Sequence, residues 1–189
     1  MADPDLPIQK KILHSGRGDI PEYTDGTKVK FHFVTKLMNE NQHILDDSRK
    51  WEKPMELIFG KKFKLESWEM SIKTMRVGEV ASFKTKKVYT HSYPLVAKTL
   101  RDTFGPKKPG HQHSHKSSHV CGMAMAAGGL GYDDLNELMK SPEDLEFVIE
   151  LISVEAEYEK ESWQMDADEK LDSVPALKEA GNKLFKVRK

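Results

Sequence analysis

The chain has 189 residues, 38% hydrophobic and 32% charged, with Lys+Arg and Asp+Glu equal at 30 each. A neutral chain has no overall field to gather nucleic acid or an anionic membrane, so neither is expected as a partner. The single cysteine, Cys121, excludes an intrachain disulfide and fits a reducing compartment. No run approaches the roughly 20 apolar residues that span a bilayer.

The start, "MADPDLPIQKK", is acidic and proline-bearing with no apolar signal region. The end, "LFKVRK", lacks a prenylation box. A soluble cytosolic protein is the resulting expectation. Residues 8–14 read as a short strand closed by a turn at Gly16–Gly18. Residues 28–37, "KVKFHFVTKL", alternate: Val29, Phe31, Phe33, Thr35 and Leu37 share one face, while Lys28, Lys30, His32 and Lys36 share the other with Val34. That is the period of a half-buried antiparallel strand. Residues 55–59 form another strand, stopped by Gly60. The period then changes. Leu65, Trp68, Ile72 and Met75 make one stripe of a helix over 64–75.

Residues 79–88 return to strand, with Lys84, Lys86 and Lys87 as a solvated basic run. "PLVAKTLRDTF" opens a second helix with Pro94 in its first turn. Residues 105–131 are rich in Gly, His, Ser and Ala without period; a loop of that length is unusual in a compact domain. A short helix over 132–140 and a strong strand over 145–156 follow. "EAEYEKES" reads as a linker. Asp166 and Glu169 form a capping-box pattern that opens a helix running to about 186, with Pro175 expected to kink or split it. Strands without regular crossover helices indicate α+β architecture: an antiparallel sheet on one central helix, a long insertion and a C-terminal helix.

Two stretches invite chemical readings. Asp46 and Asp47 beside Ser48 and Arg49 suggest a carboxylate pair. Acid–base catalysis, however, needs a second fixed group and a shifted pKa, and nothing in the chain supplies one. The default is a surface turn with a local ion pair. His111, His113, His115, His119 and Cys121 carry metal-ligand chemistry but lack the fixed frame of a structural zinc site. No metal, cofactor or catalytic residue is assigned.

The ordered set "HF…LDDSR…KPMELIFG…W…MRVGE…LEFVIELISVE" resembles the FK506-binding prolyl-isomerase family over residues 8–88 and 145–156. Within it, the closer likeness is to the aryl hydrocarbon receptor-interacting branch. That likeness rests on "LDDSR", "KPMELIFGKKFKLESWE", "YPLVAKTLR", "CG" before "LGYDDLNEL", and "VPALKEAGNKLFK". The resemblance implies an isomerase-type domain over 1–157, with its insertion at about 89–143. A linker and the first helix of a tetratricopeptide domain would occupy 158–189.

It also implies a pocket of seven residues. Trp68 takes the place of the floor tryptophan, Asp46 of the pocket aspartate, and Phe147 of a wall phenylalanine. Leu65 stands for an isoleucine whose amide binds ligand carbonyls. Phe33 replaces a tyrosine, and Leu45 and Met55 replace phenylalanines. Trp51 stands in place of an arginine, and the loop that brings a tyrosine over the pocket has no aligned counterpart. An isomerase of this kind needs no nucleophile, only an apolar site that favours the twisted amide. With these departures, the resemblance implies a degenerate domain serving as an interaction module rather than an enzyme.

Lys178 and Asn182 match, in type and four-residue spacing, a tetratricopeptide clamp for the C-terminal carboxylate of heat-shock protein 90. One helix cannot build that groove. The expected role is a co-chaperone in complexes of that chaperone with an aryl hydrocarbon receptor-type client, in the cytoplasm and in the nucleus with the client. The alternatives are an active prolyl isomerase and a module for the isoprenyl group of a prenylated client.

Overall fold

The computed structural model describes residues 7–39, 42–51, 53–61, 65–105, 129–155 and 166–187. The chain divides into two compact units, Met1–Ala156 and Glu157–Lys189.

In the first unit, six strands form one sheet: β1 (Ile8–His14), β2 (Lys28–Leu37), β3 (Ile44–Asp47), β4 (Met55–Ile58), β5 (Val80–Thr85) and β6 (Leu145–Glu155). The order is β1-β5-β6-β2-β3, every pair is antiparallel, and β4 also pairs with β2. Strands β3 and β4 share the outer edge of β2, β3 along its second half and β4 along its first. The alternation read in residues 28–37 sets the register: Val29, Phe31, Phe33 and Thr35 are fully buried, with the intervening residues half-buried. Strand β6 repeats the pattern with Leu145, Phe147, Ile149 and Leu151 inward.

Helix α1 (Glu66–Ile72) lies on this inner face. It is shorter than the stripe predicts. Leu65 is its extended N-cap residue and Met75 follows it in a turn, yet all four stripe residues are buried. The stripe therefore marks the core-facing side correctly while overrunning the helix. After α1 the chain reverses at Gly78, at φ 76°, a conformation that favours glycine.

Two helices belong to the insertion: α2 (Tyr93–Phe104), with Pro94 in its first turn, and α3 (Asp133–Lys140). Residues 106–128, including the His111–Cys121 tract, lie outside the described residues. Strand β3 was not anticipated, because four residues ending in two aspartates show no alternation. It leads into a single 3-10 turn, Ser48–Lys50, capped by the Asp47 side chain on the Arg49 amide at 3.0 Å.

The second unit contains α4 (Ala167–Val187), opened by the reciprocal capping box that the sequence suggests: Asp166 N–H to Glu169 at 3.1 Å and Glu169 N–H to Asp166 at 2.8 Å. Pro175 sits inside one continuous helix and does not split it. Leu171, Val174, Leu177 and Phe185 are exposed on it.

Ser48 ties the β3 turn to β2. Its buried hydroxyl accepts the Phe33 amide at 2.8 Å and meets His32 Nδ1 at 3.1 Å. Ser48→Ala leaves that buried amide without a partner and should cost about 1–3 kcal/mol of stability, read from urea denaturation midpoints.

Candidate functional site

The residues assigned to the pocket converge. Trp68, on the inner side of α1, lies at the centre of an aromatic cluster. Phe33 approaches it at 4.6 Å between ring centroids, Phe31 edge-on at 5.6 Å and Phe147 edge-on at 6.0 Å. Leu65 and Met55 join the same core, and Leu45 packs against it half-buried. Such edge-to-face pairs contribute about 0.5–1.5 kcal/mol each beyond the area they bury.

Asp46 is not a surface residue. It is only 7% exposed and pairs across the sheet with Thr35. Its ion-pair partner is not the adjacent Arg49, which bonds Glu150 on β6. The partner is Arg101 of α2, with Nε on Asp46 Oδ1 at 2.7 Å and NH2 on Oδ2 at 3.2 Å. The Tyr93 hydroxyl, also from α2, donates to Oδ2. Arg101 reaches further, with NH1 to Asp134 Oδ1 at 2.9 Å and NH2 to Asp134 Oδ2 at 2.7 Å, in the first turn of α3. NH2 also donates to the Leu45 carbonyl at 3.0 Å. One planar fork thus joins the sheet edge, α2 and α3, and its guanidinium lies 5.0 Å from the centre of the Tyr132 ring.

Two aromatic residues close the cluster that the sequence reading regarded as thinned. Tyr93 is fully buried at 5.8 Å from Phe147. Trp51 meets Phe33 edge-on at 5.5 Å and stacks on Phe104 of α2 at 6.0 Å. Trp68, Phe33, Phe147 and Tyr93 all have zero exposure, so the bowl is closed, with α2 of the insertion over it. The indole Nε1 of Trp68 is buried with no hydrogen-bond partner among the described residues.

The electrostatics follow from this closure. Burial pushes the Tyr93 phenol well above its ordinary value, and the charge and hydrogen bond of Asp46 push it further. Tyr93 is therefore a neutral donor. Burial lowers the tendency of Arg101 to stay charged, but its hydrogen bonds to Asp134 and Asp46 outweigh that and raise its pKa. Burial would raise the Asp134 carboxyl; the hydrogen bonds and charge of Arg101, with two backbone amides, hold it below 3.8. None of these groups is poised near neutrality for proton transfer.

Sequence reasoning missed Tyr93, Arg101 and Asp134. The segments that carry them, "YPLVAKTLR" and "LGYDDLNEL", were visible as likenesses to the branch, but no periodicity pairs residues 46, 101 and 134. Lys178 and Asn182 lie exposed on α4, four residues apart. Among the described residues no group of three or more His, Cys, Asp or Glu side chains is placed to hold a metal, and no helix is long and apolar enough to cross a membrane.

The family model described as "AH receptor-interacting protein, N-terminal FKBP-type PPIase" matches residues 8–153. Aryl-hydrocarbon-interacting protein-like 1 from Bos taurus is 43% identical over 95% of this chain and 55% of its own length. The Rattus norvegicus protein of that name is 41% identical over the same shares. The chain thus spans about half the length of the curated relatives it matches. Among solved structures, a multi-domain immunophilin from Arabidopsis thaliana overlaps 96% of this chain and 55% of its own, at 19% identity and a TM-score of 0.49.

A carboxyl depressed in the folded state adds stability that is complete above its ordinary value and is lost as pH falls through its folded value. The Asp134 contact should therefore persist at neutral pH and weaken below pH 3.8. The check is an NMR pH titration of the Leu135 amide. Its acid-limb shift should disappear in Asp134→Asn.

Proposed function

The chain belongs to the family of the AH receptor-interacting protein N-terminal FKBP-type PPIase domain, and on that premise we propose that it is the interaction module of a co-chaperone rather than a working prolyl isomerase. The observation that carries this reading is the occupied bowl. An isomerase must admit a proline and its flanking amides to the floor tryptophan, and its rim must offer free polar groups to them. Here Trp68 is closed off, Tyr93 stands on the pocket aspartate, and both Asp46 oxygens accept donors from α2. Rotation about a prolyl bond faces a barrier of ~20 kcal/mol, and a bowl that does not receive the peptide cannot lower it.

In this reading the domain holds a chaperone-bound client such as the aryl hydrocarbon receptor in the cytoplasm, travelling to the nucleus with it. Contact with heat-shock protein 90 is made through tetratricopeptide repeats begun by α4. Two features support the second contact: Lys178 and Asn182 share one exposed face, and apolar side chains on the same helix stand exposed for neighbouring helices to cover. A protease-coupled assay on a proline peptide should show no turnover above the uncatalysed rate at micromolar protein. Turnover that FK506 inhibits and Trp68→Ala abolishes would establish the isomerase instead.

One observation favours a second reading, an isoprenyl-binding module for a prenylated client. The bowl wall is aromatic and aliphatic, and a buried donor at its floor, Trp68 Nε1, has no partner among the described residues. A prenylated cysteine ester brings an apolar chain and an acceptor oxygen. Titration with farnesyl-cysteine methyl ester should shift the Trp68 indole N–H and the Phe147 and Met55 signals in NMR spectra. Unchanged spectra at millimolar ligand would dismiss this reading.

A further inference from the structure

Helix α2 is held over the bowl both by apolar side chains and by a polar knot. Its buried residues are Tyr93, Pro94, Ala97 and Leu100, while Leu95 and Phe104 are substantially exposed. Beside these contacts and the stack of Phe104 on Trp51, the docking has a polar part. Arg101 makes five hydrogen bonds, to Asp46, Asp134 and the Leu45 carbonyl, with its side chain only 13% exposed. The hydroxyl of Tyr93, two turns earlier on the same helix, adds the bond to Asp46. Beside this knot, along the seam of β3 and α3, lies a groove of about 490 Å³ lined by Leu37, His43, Leu45, Asp134, Glu137 and Leu138. Leu45 and Asp134 therefore line the groove and also bond Arg101. The seam is already indented where the clamp would part.

A contact made of directional charge pairs behaves differently from an apolar one. It has a bound arrangement and a released one, with little gained between them, because a partly separated fork leaves buried charges unpaired. Released toward the groove, Arg101 and Asp134 gain water, and α2 no longer covers the apolar bowl. We propose that Arg101 is the latch of an internal lid: α2 and α3 cover the bowl as one unit, and the chain's own insertion competes with an apolar ligand for it. The proposal rests on the bowl being a ligand site, as in the second reading above. Its consequence is that the closed population sets the apparent affinity, which falls in proportion to the fraction open.

The test compares the wild-type chain with Arg101→Gln and the milder Arg101→Lys, which keeps the charge but loses the fork. Farnesyl-cysteine methyl ester is titrated against tryptophan fluorescence. The latch predicts binding at least about fivefold tighter in Arg101→Gln, with Arg101→Lys between, because the open fraction rises. A purely structural Arg101 predicts equal or weaker binding, and that result overturns the latch. Hydrogen exchange supplies an arm that needs no ligand. In the variants the amides of 93–104 should lose protection while those of 28–37 and 145–155 keep theirs. If α2 stays as protected as the sheet in wild type and in both variants, the lid opens only when the domain unfolds, and the proposal fails. Should Arg101→Gln not fold, Arg101→Lys carries both measurements. Selective loosening of α2 without ester binding to any variant would remove the ligand reading and leave the lid standing.

Discussion

The carboxylate of Asp46 is buried at the edge of the sheet, and a buried charge without partners costs several kcal/mol. The partners come from a helix 47 to 55 residues later in the chain: the hydroxyl of Tyr93 and the guanidinium of Arg101. This one requirement organises the insertion. Arg101 has more donors than Asp46 can accept, and the remainder go to Asp134 and the Leu45 carbonyl, which brings α3 to the same edge. The two helices and strand β3 are thus held by a single planar group. The chemistry of Asp46 is spent in the process: Oδ1 is occupied by Arg101, and Oδ2 is shared by Arg101 and Tyr93.

The same helix completes the apolar side of the site. Leu45 and Met55 provide less aromatic surface than phenylalanines would, and Phe33 has no hydroxyl. Tyr93 restores both a ring against Phe147 and a hydroxyl at Asp46, and it does so from the insertion. Trp51 and Phe104 continue the aromatic surface outward from Phe33. What looks like loss of aromatics, position by position, is a transfer of aromatic contact from the sheet to the covering helix. A domain built this way is stabilised by closing, whereas an open ligand site keeps its aromatics facing solvent.

Much of the fold was legible because its signals are local. Residues 28–35 and 145–151 alternate in burial, since each strand buries one face against α1, and a slip of one residue would turn Phe31, Phe33 and Phe147 outward. The Leu65–Met75 stripe and the Asp166–Glu169 capping box were equally direct. The limits of α1 were not, because Leu65 and Met75 are buried although they lie just outside the helix. Strand β3 escaped because it is too short to show a period. The default of a surface turn for Asp46 failed because ion-pair partners distant in sequence leave no pattern. An arginine on a charged helix, in "AKTLRD", looks like a solvated face until the fold brings Asp46 and Asp134 to it.

The site's polar inventory is asymmetric, and that bears on what it can receive. The acceptor in the bowl, Asp46, is saturated by the chain's own donors, while the donor at its floor, Trp68 Nε1, has no partner among the described residues. A ligand that enters must move α2 and so part Tyr93 and Arg101 from Asp46, at the cost of the charge pair. A ligand with an acceptor would then meet the indole N–H, which has no partner among the described residues, and one with a donor would meet Asp46. The asymmetry originates in one insertion helix, which supplies both Tyr93 and Arg101, rather than in the floor that Trp68 provides.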